Sequence, residues 1–471
     1  MSTRRKFIKE LAVAGSALFI ASTLESRTSA FCFRDSADDA WGEVPKILKR
    51  IKPPVFPRRD FLITRFGALA DGRTDCSEAF HDAIAACNKA GGGRVIVPAG
   101  QFLTGAIHLQ SHVNLQVQGT ITFSRNPKQY LPVAFTRWEG VELMNYSPFI
   151  YAFEEENIAI SGSGTLDGQS GPDNWWPWNG RANYGWKEGD PNQRADRSAL
   201  FDMAENGVPV RDRKFGEGHY LRPQFIQPYR CQNVLIEGVT IVNSPMWEIH
   251  PVLSHNVTVR NVKIRSQGPN NDGCDPESCS DVLIKDCYFD TGDDCIAIKS
   301  GRNADGRRLH APTENIIVQG CRMKDGHGGI TIGSEISGGV RNLFAENCIL
   351  DSPNLDHALR VKNNAMRGGL LENLHYRNIE VGQVAHAAIT IDFNYEEGEK
   401  GKFTPVVRNF SVKDLRSGKS KHALDVQGFK NARIFNLRLE NCAFDNVAEP
   451  SIIKNVEGLT MRNVRINGKL Q

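Results

Sequence analysis

No segment of this 471-residue chain is apolar for long enough to cross a bilayer as a helix. The best candidate runs from about Leu11 to Leu24 and falls short of the roughly 20 residues required. Helical periodicity is scarce, which argues against helical solenoids, and the 40-residue, four-strand units of propeller blades are missing too. Charge of one sign is also lacking. Once the first 30 residues are set aside, 52 Lys and Arg stand against 52 Asp and Glu, which argues against a nucleic-acid-binding surface. Neither a nucleophilic Ser or Cys arrangement nor a His/Cys metal cage stands out.

What is present begins with an address. Residues 1–30 have a basic start, an apolar run and small residues before Phe31, the order of an export signal cleaved near Ala30. Thr3-Arg4-Arg5-Lys6-Phe7-Ile8-Lys9 resembles the twin-arginine form, which carries folded proteins across a membrane. The mature protein is therefore expected in the periplasm or outside the cell. Residues 31–57 read as an N-terminal linker.

Gly (43 residues), Asn and short Val/Ile runs are plentiful, the composition of many short strands and turns. Alternating segments recur, starting at Asn233, Asn256, Asp281, Asn315, Asn342, Asn373, Asn409, Asn436 and Gly458, mostly 22 to 36 residues apart. Six positions after each start stands a small or medium apolar residue: Val239, Val262, Cys287, Cys321, Cys348, Ile379, Leu415, Cys442 and Val464. Such a unit cannot bury its own apolar face, whereas stacked copies bury a continuous one. The expected fold is all-β, a right-handed parallel β-helix with each coil giving one strand to each of about three sheets. Four of the eleven cysteines fall on this ladder, so stacking accounts for their positions.

Ahead of the coils, Phe80, Ala83, Ile84 and Cys87 share one helical face between about Ser77 and Ala90, and the glycine run after it stops the helix. This helix is expected to cap the solenoid. Residues 58–471 then form one domain, interrupted at about 169–220 by an insertion carrying WWPWNGRANYGW. Its aromatics suit either packing that tethers the loop or a wall against sugar rings.

Chemistry concentrates at four places. Asp272, the Asp293-Asp294 pair, His327, and Arg360 with Lys362 follow one another at 21, 33 or 34, and 33 residues, about one coil apart, and stacked coils lie about 4.8 Å apart. Each alone is ordinary: Asp272 suits a turn, His327 a glycine loop, and the two cations a solvated edge. Stacked on one face, crowded carboxylates cost stability, and that cost marks a functional site. Carboxylates of unequal proton affinity supply the acid and the water-activating base of glycoside hydrolysis. Arg360 and Lys362 would bind an anionic sugar. Asp293 and Asp294 cannot both face outward from a regular strand. A turn after Gly292 is expected to aim both at one cleft and to send Cys295 inward.

Asn270-Asn271-Asp272, Gly292-Asp293-Asp294, Gly326-His327-Gly328 and Arg360-Val361-Lys362 together resemble the signatures of the polygalacturonases of glycoside hydrolase family 28. The usual Thr and Ile stand here as Asn271 and Val361. The resemblance implies hydrolysis of α-1,4-linked galacturonate in pectin with inversion of configuration and no cofactor or metal. It implies Asp293 as general acid, Asp272 and Asp294 as holders of the attacking water, and His327 beside Asp293. Asn270, Arg360, Lys362 and Tyr395 would bind substrate. The insertion resembles those of exo-acting bacterial members. A pectic polysaccharide is the expected partner and a monomer the expected state. A rhamnogalacturonan hydrolase of the same family stays open, as do a calcium-dependent pectate lyase and a non-catalytic polysaccharide-binding solenoid.

Overall fold

The structure is a computed structural model describing residues 40–471. The expected export signal and the first residues of the expected linker lie outside the described residues.

Strands stack in parallel register on three faces of a coil. Gln232–Glu237, His255–Arg260, Ser280–Lys285 and Thr313–Gln319 follow one another on the first. Thr240–Val242, Lys263–Ser266, Tyr288–Thr291 and Arg322–Met323 form the second. The third runs through Ile296–Ile298, Gly326–Ile332, Leu355–Lys362, Ala387–Asp392 and His422–Gln427. The chain is a parallel β-helix, and its core is the tube these faces enclose. Every one of the nine apolar ladder positions is buried. All ten described cysteines are free and buried, so they act as small core residues.

The starts of the repeats have a second task. Asn233, Asn256, Asn315, Asn342, Asn373, Asn409 and Asn436 all hold a positive φ near 57°, a left-handed conformation that Asn tolerates better than other side chains. Their amides then bond coil to coil: Asn373 donates to Asn342 at 3.1 Å and accepts from Asn409 at 3.0 Å. A left-handed residue turns the chain into each new strand, and its side chain ties that turn to the next.

The helix Ser77–Lys89 closes the first coil with Ala79, Phe80, Ala83, Ile84 and Cys87 buried, as its spacing predicts. The stretch read as linker differs from expectation. Its helix Glu43–Arg50 buries Val44 and Ile47 against Ile317 and Phe344, and Arg50 forks onto Asp281 at 2.6 and 2.9 Å. Two apolar residues three apart were too short a pattern to reveal this docking.

Residues 169–220 form the helix Arg194–Glu205 and several 3-10 turns. Leu200, Ala204 and Phe215 pack with Trp138, Val141 and Leu143 in a small core of their own. Those partners come from an antiparallel hairpin, Ala134–Trp138 with Val141–Asn145, that the repeat pattern did not single out. Together they build a wall on one side of the coils.

Candidate active site

The paired aspartates sit in a bend between the strands Tyr288–Thr291 and Ile296–Ile298. A Cβ on Gly292 would lie 2.3 Å from the Gly268 carbonyl oxygen, so only glycine lets the chain turn there. Thr291 Oγ1 donates to the Asp293 carbonyl at 2.9 Å, and the Asp294 amide donates to Asp293 Oδ1 at 3.0 Å. Cys295 drops into the core. Both carboxylates thus leave the strand on the cleft side, as the sequence led us to expect.

On the next coils, ordinary strand alternation does the placing. Ile330, Ile332, Leu359 and Val361 point into the tube, which sends Thr331, Arg360 and Lys362 outward beside the acids. Val361 is therefore a core residue. Gly328 leaves room for its neighbour: a Cβ there would come within 2.7 Å of Asp294 Oδ1. The nearest carboxylate oxygens of Asp272, Asp293 and Asp294 all lie within 4.8 Å of one another.

Each acid has a different cationic partner. Asp294 is fully buried, with Lys362 Nζ at 2.5 Å from Oδ2, Thr331 Oγ1 at 3.0 Å and Arg360 Nη1 at 3.7 Å from Oδ1. Asp293 is partly open and meets His327 Nδ1 at 3.0 Å. Asp272 is buried with Lys299 Nζ at 3.7 Å from Oδ2, while its Oδ1 has no hydrogen-bond partner. Tyr395 lays its ring 5.3 Å from the Lys362 ammonium and 5.7 Å from the Arg360 guanidinium. Asn270 Oδ1 accepts from Arg222 at 2.7 Å and Asn179 at 3.2 Å. Asn271 is wholly buried and braces its own loop, accepting from Gly268 and Ser266 and donating toward Ser244 and Met246.

Proton affinities separate accordingly. Burial, followed by the charges of Asp293 and Asp275, pushes Asp272 well above the carboxylate range. Burial also pushes Asp293 up, but the His327 hydrogen bond and charge outweigh it and hold it below that range. The same hydrogen bond, then the Asp293 charge, lifts His327 from 6.5 to about 8. Lys362 is raised because Asp294 more than offsets its burial.

Asp272 and Asp293 open into a cavity of about 400 Å³, which Asp294, fully buried behind them, does not line. Asp272, Asp293, His327, Lys362, Tyr395 and Asn270 line it from the coils, and Asn179, Arg181, Tyr184, Gln193, Arg194 and Arg197 from the insertion. The aromatic segment divides unevenly. Trp175 is buried against Tyr130 and Phe149, Trp178 packs on Trp175 and Tyr220, and Trp176 donates to the Ser244 carbonyl at 2.9 Å. These rings anchor the insertion, while polar and basic residues make most of its contribution to the wall.

Sequence reading missed Lys299, Glu335 and Trp247, which also line the cavity. Lys299 had a visible sign, since Ile296 and Ile298 point inward and alternation sends it outward. Glu335 and Trp247 stand in irregular segments that no periodicity describes.

A parallel β-helix with three clustered carboxylates and facing cations in one cleft defines a glycoside hydrolase of the solenoid type. The chain belongs to glycosyl hydrolases family 28, whose model matches residues 211–466. Among solved structures it is similar to a hyperthermoactive exopolygalacturonase from Thermotoga maritima, with 49% identity and a TM-score of 0.89, covering 92% of this chain and 96% of that one. Among curated sequences it is 27% identical to a probable polygalacturonase of Vitis vinifera, covering 84% of this chain and 77% of that one. It is 26% identical to an exo-poly-alpha-D-galacturonosidase of Dickeya chrysanthemi, covering 86% and 71%.

Proposed function

We propose that this protein hydrolyses α-1,4-galacturonosidic bonds of polygalacturonate from chain ends, with inversion at the anomeric carbon. The observation that carries the reading is the walled cavity: the cationic acid cluster opens into a space closed on one side by the insertion. A polymer threading through would meet residues 179–197, whereas a chain end fits. Likeness to the exo-acting relatives from Thermotoga maritima and Dickeya chrysanthemi supports it.

Within that reading Asp293 donates the proton to the leaving oxygen, being the more open of the two acids of the cluster that line the cavity. Below about pH 8 the Asp293–His327 pair holds one proton between them, which moves to Asp293 as the leaving oxygen becomes basic. Asp272 and Asp294 hold the water, and Asp272 takes its proton. A raised proton affinity suits a base, because proton transfer to it is then less uphill near the working pH. Arg360 and Lys362, with Tyr395 and Asn270, hold the sugar carboxylate and ring. Residues 58–471 act as one catalytic unit, monomeric and exported after removal of residues 1–30; N-terminal sequencing of the secreted protein tests that cut.

The test of function is a time course of products from polygalacturonate. Galacturonate monomer from the first minutes is expected; a ladder of oligomers would refute end-wise cutting. Product absorbing in the near ultraviolet, with activity lost to a chelator, would mean a lyase. Activity confined to rhamnogalacturonan would point to the other branch of the family.

A further inference from the structure

Two lysines face the acid cluster in unlike ways. Lys362 clamps Asp294 at 2.5 Å, whereas Lys299 stands 3.7 Å from Asp272. Among the described residues Lys299 is the one cation within ion-pair reach of Asp272. Its ammonium is buried and fixed from three other directions: Glu335 Oε2 at 3.2 Å, the Gly333 carbonyl at 3.3 Å, and the Trp247 ring with its centroid at 4.3 Å. Glu335 is itself held by Arg302 at 3.1 Å, Arg302 faces Glu139 at 3.6 Å, and Glu139 receives Arg197 at 2.8 Å. An alternating row of charges therefore runs from Asp272 to the helix of the insertion.

We propose that Lys299 is a positioning residue for Asp272, drawn back from it by Glu335 so that Asp272 stays basic. The reasoning rests on the reading of Asp272 as the base. A base must be ionised at rest and still accept a proton. A short ion pair like that of Asp294 would make acceptance too costly, and no cation at all would leave the buried carboxyl protonated. An ammonium shared with a second carboxylate lies between these limits. The other charged groups facing Asp272 are Asp293, Asp275 and Asp294. Those facing Lys299 are Glu335, Asp275, Asp272 and Asp294. Glu248, whose carboxyl faces Asp275 and Asp293 and is pushed up by its burial, stands behind them. This is an acidic surround in which a single cation has leverage.

The test is the pH profile of kcat and KM on polygalacturonate for wild type, Lys299→Met, Lys299→Arg and Glu335→Gln. Lys299→Met removes the cation, so Asp272 protonates more readily and the acidic limb of kcat moves up by about one pH unit or more. Glu335→Gln frees Lys299 toward Asp272, so that limb moves down and the plateau falls. Lys299→Arg keeps the charge and leaves the limb in place. Opposite movements in Lys299→Met and Glu335→Gln support the proposal, and the Glu335 variant decides it if Lys299→Met does not fold. Equal losses at every pH with unmoved limbs would overturn it, leaving Lys299 structural. A raised KM with unmoved limbs would also overturn it, making Lys299 a substrate contact. Wild type that releases no reducing sugar would sink the hydrolase reading instead, so the two failures are distinct.

Discussion

Replacing Asp293 with Asn separates catalysis from stability. The amide is nearly isosteric and its oxygen still accepts the Asp294 N–H, so the bend is kept. What disappears is the acid and its pairing with His327. Loss of a positioned general acid costs about 10²- to 10⁴-fold in kcat, or about 3–5 kcal/mol of transition-state stabilisation at 1.36 kcal/mol per decade. The folding cost follows from His327, which the pair raises from 6.5 to about 8. Taken whole, that shift corresponds to about 2 kcal/mol. The imidazole is 48% exposed, and solvent screening brings the figure to about 1 kcal/mol. The sign is fixed by both partners. His327 is raised, so its contribution is complete below 6.5 and lost as pH climbs through about 8. Asp293 is depressed, so its contribution is present above 3.8 and lost in acid. Chemical denaturation across pH 6 to 9 should show a decline in wild type that the variant lacks, while reducing-sugar assays show activity gone. Turnover retained within tenfold would refute the assignment of Asp293 as acid.

Asn373→Ala places Ala at φ 58° and cuts two links of the amide ladder. About 1–2 kcal/mol for the left-handed conformation and about 1 kcal/mol for each of the two bonds give a loss of about 3–4 kcal/mol in urea melts, with kcat unchanged. Arg181 is exposed and lines the cavity; Arg181→Ala should raise KM by up to about fivefold with kcat unchanged, the worth of one exposed charge contact. The first sugar released should carry the anomeric configuration opposite to that of the bond cut, read by proton NMR before mutarotation; the retained anomer would refute a single displacement. Wild-type kcat should fall through an alkaline limb near pH 8 as the Asp293–His327 pair loses its proton, and His327→Gln should abolish that limb.

The coils and the acids were legible for one reason: both recur once per turn. Apolar residues at the sixth ladder position and the one-coil spacing of Asp272, Asp293, His327 and Arg360 are sequence periods that become spatial neighbours. The insertion was legible as a candidate wall, but the packing that holds it was not, because Trp138, Leu200 and Phe215 meet from segments with no shared period. The Asn at each repeat start was visible, but its positive φ and amide ladder need the backbone to be seen. Lys299 read as the end of a strand because its partners Asp272 and Glu335 lie 27 residues before and 36 after it, on neighbouring coils. Trp175, Trp176 and Trp178 looked equal in sequence, and only packing shows that they serve as anchors.

Close spacing of the acids sharpens how the water must enter. Acid and base of single-displacement glycosidases usually stand about 6.5–9.5 Å apart, and about 5–5.5 Å implies an enzyme nucleophile; here the nearest oxygens lie within 4.8 Å. That rule presumes a carboxylate free to reach the anomeric carbon. Asp294 is not free, for Lys362, Thr331 and Arg360 engage both its oxygens and it is fully buried. Asp272 is 3% exposed at the cavity wall, and its Oδ1 is buried with no hydrogen-bond partner, so it sits deeper than Asp293. On the proposed reading, depth does here what distance does elsewhere: Asp294 is buried, Asp272 is nearly so, and Asp293 is the most open of the three, which leaves water as the nucleophile.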